Sequence, residues 1–233
     1  MLYRGLGREA LDVAYDNTNA VGVEKRNAYI SDWAKRSETI SNVWSPRSNI
    51  SYGSRPRQRL DVFPCGSTDV PTLLYIHGGY WQMGDKEAYG FVGDALLASG
   101  FNFVLVEYTL APEVRMDDIV SEIHAAIDWV IKNINEYGGD PRRVFICGHS
   151  AGGHLTAMAM TDRRVAGGVA ISGLFDLEPI RLNYINQKLK LYEDEMLRNS
   201  PMSNIPVESS PLIVTVGLNE LPELIRQSED YYN

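Results

Sequence analysis

The chain has 233 residues, 44% hydrophobic and 22% charged, with 30 acidic residues against 22 basic and a net charge of −8. That length favours one domain with a sizeable core, and the acidic balance argues against a nucleic-acid or anionic-membrane partner, which would want a basic face. The first eight residues hold no apolar leader, no run is long enough to span a bilayer, and Cys65 and Cys147 suggest no disulfide framework, so the expected location is the cytoplasm.

Residues 1–50 are read as a mixed-charge helical segment, with 23–40 its longest helix, followed by loop around Ser45-Pro46 and Ser51-Tyr52-Gly53-Ser54. Leu60-Asp61-Val62-Phe63 alternates like a half-exposed strand, whereas Thr72-Leu73-Leu74-Tyr75-Ile76 is a continuous apolar run, as in a strand buried on both faces. A helix is predicted over 86–98, and Phe103-Val104-Leu105-Val106 as the next buried strand. After Asp117-Asp118, the residues Ile119, Val120, Ile123, Ile127, Val130, Ile131 and Ile134 recur at three- and four-residue steps, the signature of an amphipathic helix. Strands follow at 144–147, 165–171 and 212–216. Strands alternating with helices imply right-handed crossovers and a mostly parallel sheet with helices on both faces. Residues 179–210 break the alternation and are expected to form a small lid-like insertion, with a helix over 185–197.

Between a strand and a helix stands Gly148-His149-Ser150-Ala151-Gly152. A G-x-S-x-G sequence in that context is a nucleophile elbow, a turn that holds the serine in a strained conformation. Acyl transfer by Ser150 would also need a base, a group to orient it and donors for a developing oxyanion. The donors expected are the N–H of Ala151 and those of Gly78 and Gly79, in the loop His77-Gly78-Gly79-Tyr80-Trp81 after a buried strand. Tyr80 and Trp81 are candidates for the substrate pocket, with ordinary packing as the alternative. No metal-ligand spacing is present and this chemistry needs no cofactor.

His77-Gly78-Gly79-Tyr80-Trp81, Tyr108-Thr109-Leu110-Ala111-Pro112-Glu113 and Gly148-His149-Ser150-Ala151-Gly152-Gly153 together resemble the α/β-hydrolase superfamily, and within it the hormone-sensitive-lipase-like esterases and their kynurenine formamidase relatives. The aromatics after Gly79 and the segment Pro222-Glu223-Leu224-Ile225-Arg226-Gln227-Ser228 lean toward the formamidases. The resemblance implies a single α/β-hydrolase domain, a serine mechanism and a small ester or amide substrate. A homodimer is compatible with it. A general short-chain carboxylesterase and a catalytically incomplete binding module are the other readings.

The chain order implied is serine, acid, histidine. The acid belongs just after residues 212–216, where Glu220 is the first candidate; Glu223 and Asp230 are alternatives, and Asn219 could orient a histidine without supplying charge. All four histidines, His77, His124, His149 and His154, precede that acid. His77 is expected to brace the oxyanion loop, His149 to point away from the reactive side of Ser150, His154 to pack beside the sheet and His124 to lie behind it. The expectation is therefore that the base, the last strand and the last helix are missing from this chain.

Overall fold

The computed structural model describes residues 2–233. Seven strands form one sheet in the order β1-β2-β4-β3-β5-β6-β7: β1 (Arg47–Ser51), β2 (Arg59–Phe63), β3 (Val70–Ile76), β4 (Asn102–Val106), β5 (Gly139–His149), β6 (Gly167–Ile171) and β7 (Leu212–Thr215). β1 and β2 join antiparallel, and the five strands from β4 to β7 run parallel. β3 and β4 are buried almost throughout, which their apolar runs require, because helices cover both faces.

The crossover helices follow from the sequence pattern. In α5 (Met116–Asn133), Ile119, Ile123, Ala126, Ile127 and Val130 form the buried stripe. Asp118 accepts from the Arg115 N–H three residues earlier and fixes the helix start. α6 (Ala151–Ala159) is buried over its whole length, which its small and apolar residues permit. α10 (Pro222–Tyr232) follows β7.

Several expected boundaries are corrected. Residues 47–51, read as helix end and loop, form edge strand β1. β2 is not half exposed: Leu60 to Phe63 are all buried, because Asp61 is held inside by Lys86 and by the Asn49 N–H. The helix expected over 86–98 is a 3₁₀ segment, Lys86–Gly93, leading into α4 (Asp94–Ala98). The N-terminal segment is three helices: α1 (Arg8–Ala14), α2 (Asn17–Val21) and α3 (Val23–Trp44). The insertion holds α7 (Glu178–Arg181), α8 (Asn186–Leu189) and α9 (Glu193–Arg198); the helix expected over 185–197 is broken where Lys190 turns left-handed.

The register decides where the site lies. Ile76 pairs with Gly148, and His149 with Ile171. The loops after β3, β5 and β6 therefore leave the sheet at one level, at the carboxyl ends of parallel strands, where ligands of open α/β sheets bind.

Candidate active site

Ser150 sits between β5 and α6 at φ 58° and ψ −118°, outside the regions an L-residue prefers. Its side chain makes no capping bond to α6, so the strain does not arise from holding the helix. The Ser150 N–H donates to the Ile171 carbonyl at 2.8 Å, fixing the turn to β6. The turn is possible because Gly148, Gly152 and Gly153 face backbone: a Cβ on Gly152 would strike the carbonyl oxygens of Ile76 and His77, and one on Gly153 would lie 2.9 Å from the Gly173 Cα.

The loop after β3 closes over this turn. A Cβ on Gly78 would lie 2.8 Å from the His149 carbonyl and 3.2 Å from the Ser150 Cβ. Gly79 has φ 121°, and its carbonyl accepts from the N–H groups of Gln82 and Met83 at 3.0 and 3.1 Å. None of the Gly78, Gly79 and Ala151 amides donates to a backbone carbonyl in the loops and turns around them.

A buried charge cluster holds the loop. The His77 ring is fully buried, with Nδ1 2.8 Å from the Gly78 carbonyl and Nε2 3.0 Å from Glu107. Glu107 also accepts from Arg57 at 2.7 Å and from the amides of Tyr108 and Lys86. Burial alone would raise the Glu107 pKa; the bonds and charges of His77 and Arg57 outweigh it and hold the carboxyl below its ordinary range. Nothing in the sequence pattern marks Glu107, because its partners come from three distant segments.

Glu220 shares the cavity wall with Ser150. Its Oε1 accepts from the Ser172 hydroxyl at 2.5 Å and from the Gly217 N–H at 2.9 Å. Ser172, after β6 at φ 51°, belongs to the same wall and was not anticipated. The alternative acids are engaged elsewhere: Glu223 with Arg226 and Tyr15, and Asp230 with Arg4 and Arg226.

The histidines divide unevenly. His124 lies on α5, where burial holds its pKa down. His154 is fully buried, its Nδ1 accepting from Trp81 Nε1 at 3.2 Å and its Nε2 facing the Asn199 carbonyl at 2.7 Å. Burial pushes its pKa down to about 4. His149 does not point away as expected: it lines the cavity beside Ser150 and Glu220. Burial lowers its pKa, and the Glu220 charge opposes that. Among the described residues, no hydrogen bond joins a histidine to Ser150 Oγ.

The cavity measures 380 Å³, within the range of small-molecule sites. Tyr80 lines it, anchored by its hydroxyl to the Tyr15 carbonyl at 2.8 Å. Trp81 does not. It is fully buried against His154, so its place among the pocket residues is corrected to core packing. Two walls were not foreseen from the motifs. One is the N-terminal helices, through Asn17, Val21, Arg26, Tyr29 and Trp33; the other is Tyr89, in the 3₁₀ segment. The insertion contributes Tyr184 and Ile185, the latter tied to the loop by Gln82 at 2.7 Å. No group of three or more His, Cys, Asp or Glu among the described residues is disposed to hold a metal ion. No helix among them is long and apolar enough to cross a membrane.

The BD-FAE family model matches residues 60–176. The kynurenine formamidase of Danio rerio is 35% identical over 220 residues, covering 88% of this chain and 74% of its own length. That of Salmo salar is 38% identical over 199 residues, with 79% and 66% covered. The crystal structure of a Silicibacter sp. protein superposes with a TM-score of 0.86 at 30% identity, over 97% of this chain and 86% of that one.

Proposed function

Because the chain belongs to the BD-FAE family of α/β-hydrolases, and to the branch that includes the kynurenine formamidases, we propose that it is a serine hydrolase that cleaves small aryl amides or esters through an acyl-enzyme, with N-formylkynurenine-like formamides as its leading substrates. The observation that carries the reading is the strained Ser150 packed against Gly78, in a loop whose Gly78 and Gly79 amides donate to no backbone carbonyl in the turns around them, in a cavity with aromatic walls.

In this reading Ser150 Oγ attacks the acyl carbonyl and loses its proton to an imidazole. The amides of Ala151 and of Gly78 or Gly79 receive the oxyanion; each such donor is worth ~10²–10³ in rate. Glu220 is the acid that orients the imidazole and offsets its charge. Its Oε1 is already bound, which leaves Oε2 for that task. The base is the member of the set that the described residues do not supply at hydrogen-bond distance. The amine or alcohol leaves with the proton, and water then releases the acid. Tyr80 is a pocket residue, Tyr184 and Ile185 make residues 179–210 part of the site's cover, and the location is cytoplasmic.

The test is covalent labelling by a fluorophosphonate together with hydrolysis of N-formylkynurenine and p-nitrophenyl acetate. A chain that carries the base is expected to label and to favour the formamide in kcat/KM, and its Ser150→Ala variant to lose both. Preference for the acetate would make it a general esterase. Absence of labelling and of turnover on both substrates in a chain that carries the base overturns the hydrolase reading.

A further inference from the structure

The cavity wall carries two charged side chains, Glu220 and Arg26. Glu220 is held by Ser172 and Gly217. Arg26 is not held by an acid: its one side-chain bond among the described residues is from Nη2 to the Met83 sulfur at 3.6 Å, a weak partner for a guanidinium. Most arginines here behave otherwise, and Arg55, Arg57, Arg115, Arg164, Arg198 and Arg226 all pair with carboxylates. Arg26 is half-buried on the first turns of α3, beside aromatic rings. A cation in the cavity wall with no carboxylate partner keeps its guanidinium donors available to an anionic ligand.

The surroundings say which ligand. Trp33 and Tyr89 meet at 6.0 Å and 41°, offering ring faces to a flat group. Tyr89 in turn stacks on His77 at 5.8 Å and 14°, the ring that braces Gly78. Met83, which Arg26 touches, donates its N–H to the Gly79 carbonyl. Arg26 and the aryl wall are thus both one residue removed from the oxyanion loop. Guanidinium matches carboxylate with two parallel hydrogen bonds.

We propose that the site selects aryl substrates bearing a carboxylate, with Arg26 as the residue that receives it, the ring lying against Trp33 and Tyr89 and the scissile carbonyl at Gly78 and Gly79. This rests on the hydrolase reading for the carbonyl's position, but not for the anion's.

Isothermal titration of the Ser150→Ala chain with 2-formamidobenzoate and with neutral formanilide separates the two, since it needs no turnover. The carboxylate compound is expected to bind at least tenfold tighter. Arg26→Gln is expected to bring that ratio to within twofold of one, and Arg36→Gln, on the same helix outside the cavity, to retain it. In wild type, benzoate should slow fluorophosphonate labelling and benzamide should not. Equal binding of the two ligands, or a preference that survives in Arg26→Gln, overturns the proposal. Failure of labelling with the anion preference intact would instead sink the hydrolase reading alone.

Discussion

At the scale of single residues, the site is a set of close backbone approaches around one hydroxyl. Gly78 shows how little room there is. Gly78→Ala would press on Ser150 and the His149 carbonyl, and a displacement approaching 1 Å at a nucleophile costs about 10²-fold. A fall of that order in kcat is expected, with a Tm within a few degrees of wild type, in assays run beside thermal melts. Glu220→Gln keeps the shape and removes the charge, so kcat should drop by about 10³–10⁴ with KM little changed. Glu223→Gln, by contrast, should affect stability rather than rate, because Glu223 serves Arg226 and Tyr15. Cys147, just before the elbow, is inert in this picture: burial pushes its thiol up to about 11.

At the scale of elements, two buried polar links fasten the loops to the sheet. Glu107→Ala would strand His77 and Arg57, and breaking a buried pair costs about 3 kcal/mol. Urea unfolding should show that loss at pH 7. The depressed Glu107 pKa means its contribution is present above the ordinary carboxylate pKa and is lost as pH falls through the lower folded value. His154 acts at higher pH. Its folded pKa lies near 4 against 6.5 in the open chain, so the unfolded state binds the proton first. Stability is full above pH 6.5 and falls as pH drops toward 4, by about 3 kcal/mol. Urea midpoints across that window should follow this slope, and His154→Gln, less stable at neutral pH, should lose roughly one proton's worth of it. An unchanged slope in that variant would show that other groups carry it.

At the scale of the whole molecule, β7 is bonded on one side only, to β6. Ile213 is 61% exposed and Val207, Leu218 and Tyr232 are more so, which puts apolar surface beside an open strand edge. Sedimentation velocity should therefore show concentration-dependent association, reduced in Ile213→Lys; a monomer at all concentrations would refute this. Much of the architecture was legible in advance. Local patterns carried it: the α5 stripe, the apolar runs of β3 and β4, and the glycines around Ser150 report on the chain within a few residues of themselves. What was not legible depends on partners far apart in sequence. Trp81 looked like a pocket residue until His154 placed it in the core, and β1 is a strand only because β2 lies beside it. His149 faces the cavity, and the N-terminal helices wall it, because the sheet register sets their positions. The sequence by itself determined the fold class and placed the strained turn at Ser150 and the glycine loop after β3, since each is written in local backbone and burial requirements. Only the tertiary structure decided which acid shares the cavity wall with Ser150, which aromatics line the cavity and which cation enters it, because those depend on packing between segments that no local pattern encodes.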